Sequence, residues 1–265
     1  FMKYFVLPKV YLIGYTTPDL DQLLQYLTDT NQTDFWLDIQ EAIKTGVNTG
    51  EILCSFYAKA CYASLTLNKN KNITKVRDIE NNIKSIIESG HGSVIEHVSL
   101  NFMVTNCSRV FTHELVRHRV GTAFSQTSGR YVRTDELNVV VDPILESAYD
   151  LIEECRDYLE KWYKKLEERL EISKVKDFDT KKKLTSAMRR MMPNGLANEI
   201  GVTLNLRTLR HTIEMRTSRH AEWEVRYVFN QIFNLLKNKY LVMFFDAKTE
   251  MIDGLNEISF QYKKI

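Results

Sequence analysis

Residues 98–121 of the chain read VSLNFMVTNCSRVFTHELVRHRVG. Apolar residues alternate with polar ones at the start of this stretch: Val98, Leu100, Phe102 and Val104. The alternation predicts a strand with one buried face. Ser108 and Gly121 are residue types that favour the two ends of a helix, so we expect a helix between them that carries residues 117–119 in its last turn. A strand followed directly by a helix favours a fold that mixes both.

The flanking sequence extends this pattern in both directions. Apolar spacing predicts strands over 4–14 and 200–206, and helices over 51–64, 76–89, 143–175, 208–217 and 221–237, with a further helix that ends near Met192 before Pro193. Residues 1–265 therefore indicate a single α+β domain with a mixed sheet core and packed helices. The charged helical segment at about 143–190 is expected to be an excursion from that core.

Composition limits the classes of protein that fit. With 265 residues, 44% of them hydrophobic, the chain can bury a sizeable core. The 36 basic and 34 acidic residues nearly balance, which argues against nucleic-acid or anionic-membrane partners. Four cysteines without a CxxC pair favour buried thiols in a reducing, cytoplasmic setting: Cys54, Cys61, Cys107 and Cys155.

Donor-rich side chains concentrate just after the predicted strand. The run Arg117-His118-Arg119 is followed by the run Ser125-Gln126-Thr127-Ser128-Gly129-Arg130-Tyr131. Guanidinium groups, hydroxyls and a glycine are suited to bind phosphate and electron-rich rings, so the two runs indicate a nucleotide site. Two simpler interpretations stay open: the first run as cations at a helix C-terminus, and the second as an ordinary turn.

These two runs resemble the signature of the flavin-dependent thymidylate synthases, the ThyX family. Further matches follow the family's order along the chain: the His-x-x-x-x-Glu-His element at 91–97, the Arg-x-x-x-Pro element at 189–193, the Asn-x-Arg element at 205–207 and the closing stretch at 220–226. The spacing between Arg119 and Ser128 is one residue longer than the family's usual spacing. We place the extra residue within 120–124.

The resemblance implies a ThyX-like fold and a reductive methylation of dUMP to dTMP. Methylenetetrahydrofolate would supply the carbon, and NADPH would supply hydride through FAD. It also implies a homotetramer whose active sites lie at subunit interfaces. The predicted partners are therefore dUMP and further copies of this chain, with no nucleic acid and no membrane.

The same resemblance assigns roles to individual residues. The dUMP set is Glu114, Gln126, Ser128, Gly129, Arg130, Arg189 and Arg216. The FAD set is Ser93, Glu96, Arg117, His118, Arg119, Asn205, Arg207 and His211. The catalytic set is Arg216, His118 and Ser128, in which Ser128 is a substrate binder and not a covalent nucleophile. Taken alone, Glu96 also fits an ion pair or a helix cap, and Asn205 a turn.

The sequence leaves several alternatives open. Glu114 stands where the family typically has glutamine, so it either pairs with a neighbouring arginine or changes the pyrimidine preference, for instance towards dCMP. A related flavoenzyme that acts on another pyrimidine nucleotide, or transfers a hydroxymethyl group, is the enzyme alternative. A nucleic-acid-binding module is the non-enzyme alternative. No metal is expected, because His113 and His118 are five residues apart and a zinc-protease motif needs histidines four apart.

Overall fold

The computed structural model describes residues 3–67, 69–131 and 136–263. Its helices are α1 (Leu20–Asp29), α2 (Asp34–Lys44), α3 (Thr49–Cys61), α4 (Ile79–Ser89), α5 (Arg109–Leu115), α6 (Tyr149–Arg169), α7 (Phe178–Met188), α8 (Leu206–Thr217) and α9 (Trp223–Leu236). Its strands are β1 (Lys9–Tyr15), β2 (Ser99–Cys107), β3 (Thr122–Gln126), β4 (Asn198–Asn205), β5 (Ala247–Ile252) and β6 (Leu255–Phe260). Short 3-10 segments lie at Gly92–His97, Pro143–Ala148, Ile172–Lys174 and Arg189–Met191. The α+β class is confirmed.

The central sheet has the strand order β1-β2-β4-β3, with antiparallel pairing throughout. Leu100 of β2 lies opposite Tyr15 on one side and Leu204 on the other. Leu100, Phe102 and Val104 are buried on the helical side, as their alternation predicts. The opposite face is open to solvent, where the Ile13 side chain of β1 is 68% exposed.

Helix α4 illustrates how the apolar pattern determines burial. Its isoleucines at positions 79, 83, 86 and 87 are all buried, and the helix packs against α2 and α3. The helix begins later than the predicted residue 76, because the Asp78 carboxylate accepts a hydrogen bond from the Asn81 N–H and caps it there. Gly90 ends the helix in the left-handed conformation, with φ of 72°.

The predicted helix over 108–121 is wrong at its end. Ser108 caps its start as expected, but α5 stops at Leu115. Residues 116–121 leave the helix because Thr122 must reach β4, where it pairs with Leu204 as the first residue of β3. Residues 117–119 therefore lie in a loop after the helix and not in its last turn.

The predicted helix over 143–175 is also shorter than expected. A 3-10 segment precedes α6, and α6 ends at Arg169 because Glu171 adopts a left-handed backbone with φ of 45°. The segment has a hydrophobic cluster of its own, formed by Tyr163, Ile172 and Met188. This separate cluster is consistent with an excursion from the main core.

A buried ion pair anchors α8 to the C-terminal part of the chain. The Arg210 guanidinium donates to both carboxylate oxygens of Asp246 at 3.0 Å, and both side chains are almost fully buried. Asp246 also accepts from the Tyr262 N–H, which follows β6.

Helices α1 and α2 and strands β3, β5 and β6 were not predicted from sequence.

The expectation of buried thiols is half right. Cys54 and Cys107 are buried, whereas Cys61 and Cys155 are exposed, and all four are free. Cys61 is the last residue of α3, and Cys155 lies on the solvent side of α6, so neither reaches the core. Among the residues that the structure describes, no helix combines the length and apolar composition that a membrane span requires.

Candidate active site

Helix α5 is fixed at its start by a buried carboxylate from α9. The Glu224 carboxylate accepts hydrogen bonds from the Ser108 N–H at 2.7 Å and from the Ser108 hydroxyl. The Ser108 hydroxyl oxygen in turn accepts from the Phe111 N–H. Burial raises the pKa of Glu224 to about 7. The N-terminus of α5 is therefore held in place, and the side chains at its C-terminus take defined positions.

At that other end, Glu114 binds the guanidinium of Arg216 from α8. Arg216 Nη1 donates to Glu114 Oε2 at 3.0 Å, and Arg216 Nη2 donates to the Glu114 carbonyl at 3.2 Å. A second ion pair joins Glu114 to Arg117 at 3.3 Å. The first of the two expectations for Glu114, a pair with a neighbouring arginine, is confirmed.

His118 is the third member of this group. Arg216 Nε donates to His118 Nε2 at 2.7 Å. Burial and, to a lesser extent, the nearby Arg216 and His211 together lower the pKa of His118 to about 4, against a smaller opposing effect of the Glu114 carboxylate. At neutral pH His118 is therefore an uncharged imidazole between two arginines.

A cavity of about 350 Å³ opens beside this group and is called the cationic pocket. It is lined by Glu96, Arg117, His118, Arg119, Val120, Arg207, Thr208 and His211. Arg207 Nη1 donates to the Glu96 carboxylate at 2.5 Å, so the ion-pair interpretation of Glu96 holds. Three guanidinium groups against one carboxylate leave the lining positively charged, which suits an anionic or electron-rich ligand.

The loop that forms one wall of this pocket is bound to the start of α8. The Asn205 N–H donates to the Gly121 carbonyl at 3.0 Å, and the Thr208 hydroxyl donates to the Val120 carbonyl at 2.8 Å. The Asn205 side chain accepts from the Thr208 N–H and so caps α8. Asn205 is thus a helix cap, and not the turn residue that its sequence alone suggests.

A second cavity, of about 460 Å³, lies at the end of β3 and is called the arginine pocket. Its lining includes the guanidinium side chains of Arg109, Arg189 and Arg190, together with Gly129. A Cβ added at Gly129 would lie 3.7 Å from Arg189 Cδ, an ordinary contact distance. Clustered guanidinium groups of this kind bind phosphate or carboxylate.

Comparison with known proteins assigns the chain to a family. A family model described as thymidylate synthase complementing protein matches residues 45–240, a range that includes every predicted site residue. The chain belongs to this family.

Several relatives of this family member are named flavin-dependent thymidylate synthase. The protein from Mycobacteroides abscessus is 37% identical over 202 residues, covering 74% of this chain and 78% of that protein. The protein from Mycobacterium tuberculosis is 35% identical over 231 residues, covering 84% and 90%. The protein from Mycobacterium avium is 35% identical over 235 residues, covering 86% and 92%. Neither the changed pyrimidine preference nor the nucleic-acid module is supported by these relatives.

The remaining predicted residues of this thymidylate synthase family member lie close to the two pockets or within local turns. Gln126 ends β3, and its amide donates to the Thr112 hydroxyl at 3.3 Å. Ser128 accepts from the Arg130 N–H at 3.4 Å, and Arg130 is exposed. Ser93 lines a third cavity, of about 690 Å³, which shares Arg207 with the cationic pocket. Their roles stay predictions.

Sequence reasoning missed Arg109 and Arg190. Arg109 occupies the first position of α5, where a cation is unfavourable for the helix dipole. A cation at such a position, directly after the predicted cap Ser108, does not favour the helix, and this feature could have been noticed in the sequence. The Arg190 signal is weaker, because Arg190 adjoins a motif residue but has no distinguishing position of its own.

Proposed function

We propose that the protein is a thymidylate synthase that reductively methylates dUMP to dTMP, with FAD as its flavin, methylenetetrahydrofolate as the carbon donor and NADPH as the reductant. The observation that carries the proposal is the group formed by Glu114, Arg216 and His118. This group lies where α5, α8 and the loop after α5 meet, directly beside the cationic pocket. Membership of the family supports the same conclusion.

The phosphate of dUMP binds in the arginine pocket. Arg189 and Gly129 belong to the predicted dUMP set, and Arg109 joins them because its guanidinium lines the same cavity. Bidentate contacts from guanidinium groups to phosphate are strong and directional. Ser128, Arg130 and Gln126 complete the dUMP set at the end of β3 and in the turn after it.

Arg216 contacts the pyrimidine ring and stabilises negative charge that develops there. Its Nε–H donates to His118, and one N–H on each Nη donates to Glu114. A guanidinium has five N–H groups, so two of them stay free for the substrate. A donor already held in place loses little freedom when charge develops on the substrate, and this preorganisation favours the transition state.

The flavin binds in the cationic pocket. Arg117, His118, Arg119, Arg207 and His211 supply donors for ring heteroatoms and for phosphate charge, and this donor set fits an FAD molecule. When bound, the flavin supplies the hydride chemistry that amino-acid side chains lack. Glu96 lines the same pocket, and Ser93 and Asn205 support it from the adjoining cavity and the start of α8.

The active enzyme is a homotetramer in which several chains contribute to each site. The arginine pocket and the cationic pocket of one chain have no lining residue in common. A site shared between chains would let residues that are close in sequence, such as Arg117 and Arg130, serve different bound molecules. Mass measurement in solution by light scattering tests this part of the proposal.

The decisive experiment measures tritium release from dUMP labelled at carbon 5, with product identification by mass spectrometry. FAD, NADPH and methylenetetrahydrofolate are present, and each is omitted in turn. We expect dTMP only with all of them. Folded, flavin-loaded protein that neither releases tritium nor forms dTMP would overturn the proposal.

A pair of arginine variants tests the role of the site directly. Arg216→Lys keeps the charge but loses the fork that contacts both Glu114 and His118, so we expect a large fall in kcat/KM. Arg219→Lys is the matched control, because Arg219 lies on the surface in an ion pair with Glu257. Equal activity in the two variants would contradict the assigned role of Arg216.

A further inference from the structure

The contact between Arg216 and His118 restricts the proton on the imidazole ring. An arginine side chain stays protonated at every pH that a protein survives, so its Nε–H only donates. Arg216 Nε lies 2.7 Å from His118 Nε2, and that nitrogen must therefore accept with its lone pair. The proton of a neutral ring then sits on Nδ1.

We infer that Glu114 is a positioning residue that holds Arg216 against His118 and thereby fixes His118 as the neutral Nδ1–H tautomer, a hydrogen-bond donor for an acceptor atom of the bound flavin. The tautomer follows from the contacts of this chain alone. Its role towards the flavin rests on the proposed function. Among the residues that the structure describes, the His118 Nδ1–H has no hydrogen-bond partner, so it is free for a ligand.

The contacts of Arg216 explain why Glu114 is needed. The Glu114 carboxylate and carbonyl hold the two Nη atoms at 3.0 and 3.2 Å, and these two contacts orient the guanidinium plane. In this orientation the Nε–H is the group that points at the histidine and donates to it. Loss of the Glu114 side chain removes the charge-assisted contact and lets the guanidinium rotate away from His118.

The charges around His118 favour the same state. The groups that face it or share its pocket are Arg117, Arg119, Arg207, Arg216, His211, Glu96 and Glu114. Cations outnumber carboxylates, so an imidazolium there would be repelled in addition to losing the Arg216 contact. Burial is the largest cause that lowers the pKa of His118 to about 4, and the positive charges of Arg216 and His211 add to it. The run Arg117-His118-Arg119 thus presents two cations that flank one neutral donor.

The test is nitrogen-15 NMR of protein labelled at its histidines, recorded without nucleotide or flavin. The chain has six histidines. The His118 signal is assigned by its loss in His118→Gln, and also by elimination through single substitutions of the other five. We expect Nδ1 protonated and Nε2 unprotonated at pH 7, with no titration of this ring above pH 5. An Nε2–H tautomer, or a pKa near the ordinary value of about 6.5, would overturn the inference.

Variants of Glu114 separate positioning from simple electrostatics, because the two effects have opposite signs. Removal of a nearby negative charge by itself lowers the pKa of a histidine further. Loss of the clamp on Arg216 frees His118 Nε2 and raises the pKa towards about 6.5. We expect Glu114→Ala to raise the pKa and to release the fixed tautomer. We expect Glu114→Gln to retain the tautomer, since the amide oxygen still accepts from Arg216.

Glu257→Ala is the matched control, because it removes a surface carboxylate from the Arg219 pair and leaves His118 untouched. A fall or no change in the His118 pKa of Glu114→Ala would overturn the positioning role. Should that variant not fold, Arg216→Ala removes the same contact and the positive charge from the other side, and the His118 pKa is again expected to rise. Protein that shows the Nδ1–H tautomer but forms no dTMP would contradict the proposed function and leave the tautomer established.

Discussion

Replacement of Gly121 by alanine tests how the loop after α5 is held beside the cationic pocket. Gly121 has a left-handed backbone with φ of 66°. A Cβ at this position would lie 2.2 Å from Asn205 Nδ2 and 2.6 Å from Thr208 Oγ1. Asn205 is also the cap of α8, so the added methyl group displaces a side chain that holds the helix start.

Two terms make up the expected cost. A left-handed backbone costs an alanine roughly 1–2 kcal/mol. Displacement of an N-cap side chain costs about 0.5–2 kcal/mol more. Gly254→Ala is the matched control, because Gly254 has a similar φ of 77° but nothing within 4 Å of the position of its added Cβ. We therefore expect Gly121→Ala to exceed the control by about 0.5–2 kcal/mol.

The assay is the free energy of unfolding from urea titration, measured in parallel with flavin affinity. Weaker flavin binding in Gly121→Ala alone would show that the loop and the cap position the cationic pocket. Equal unfolding free energies and equal flavin affinities in the two variants would refute the reasoning. The contact between the added Cβ and Asn205 would then cost no free energy.

Three further expectations address the arginine pocket and the core. Arg189→Ala removes a charged contact worth about 1.5–3 kcal/mol, so KM for dUMP should rise roughly 10- to 100-fold in steady-state assays, and an unchanged KM would exclude a phosphate contact. Burial raises the pKa of Glu51 from 4.5 to about 7, so its contribution to stability is greatest below pH 4.5 and is lost as the pH rises to 7. In urea titrations the unchanged protein should lose about 3 kcal/mol of unfolding free energy between pH 4.5 and 7, and Glu51→Gln should not. The same pH profile in both proteins would contradict the raised pKa. Asp246→Ala leaves Arg210 buried without its partner and should cost about 3–5 kcal/mol of unfolding free energy, and a loss below about 1 kcal/mol would show that water replaces the carboxylate.

Short-range signals predicted individual elements well. The alternation in β2 and the isoleucine stripe of α4 each identify one buried face, because side-chain direction follows directly from backbone geometry. The predicted cap Ser108 is a chemical feature of a single residue. The amphipathic helices α1 and α2 carry the same kind of signal and could have been found by the same reasoning.

The end of α5 illustrates what local signals miss. Residues 116–121 have no helix breaker before Gly121, so their sequence continues the helix. In the folded chain β3 must pair with β4, and the bonds of this strand pair outweigh one further helical turn. The strand β3 was missed for the same reason, since its five residues form a strand only against their partner.

The sequence by itself determined the α+β class, the family and six of the eight residues that line the cationic pocket, because these depend on residue type and order. In the arginine pocket it identified only Gly129 and Arg189. The tertiary structure alone decided which of those residues touch. Glu114 and Arg216 are separated by about a hundred positions, and only the packing of α5 against α9 and the anchoring of α8 bring them to 3.0 Å. The protonation state of His118 depends on that contact, because a histidine takes its tautomer from its neighbours and not from its place in the chain.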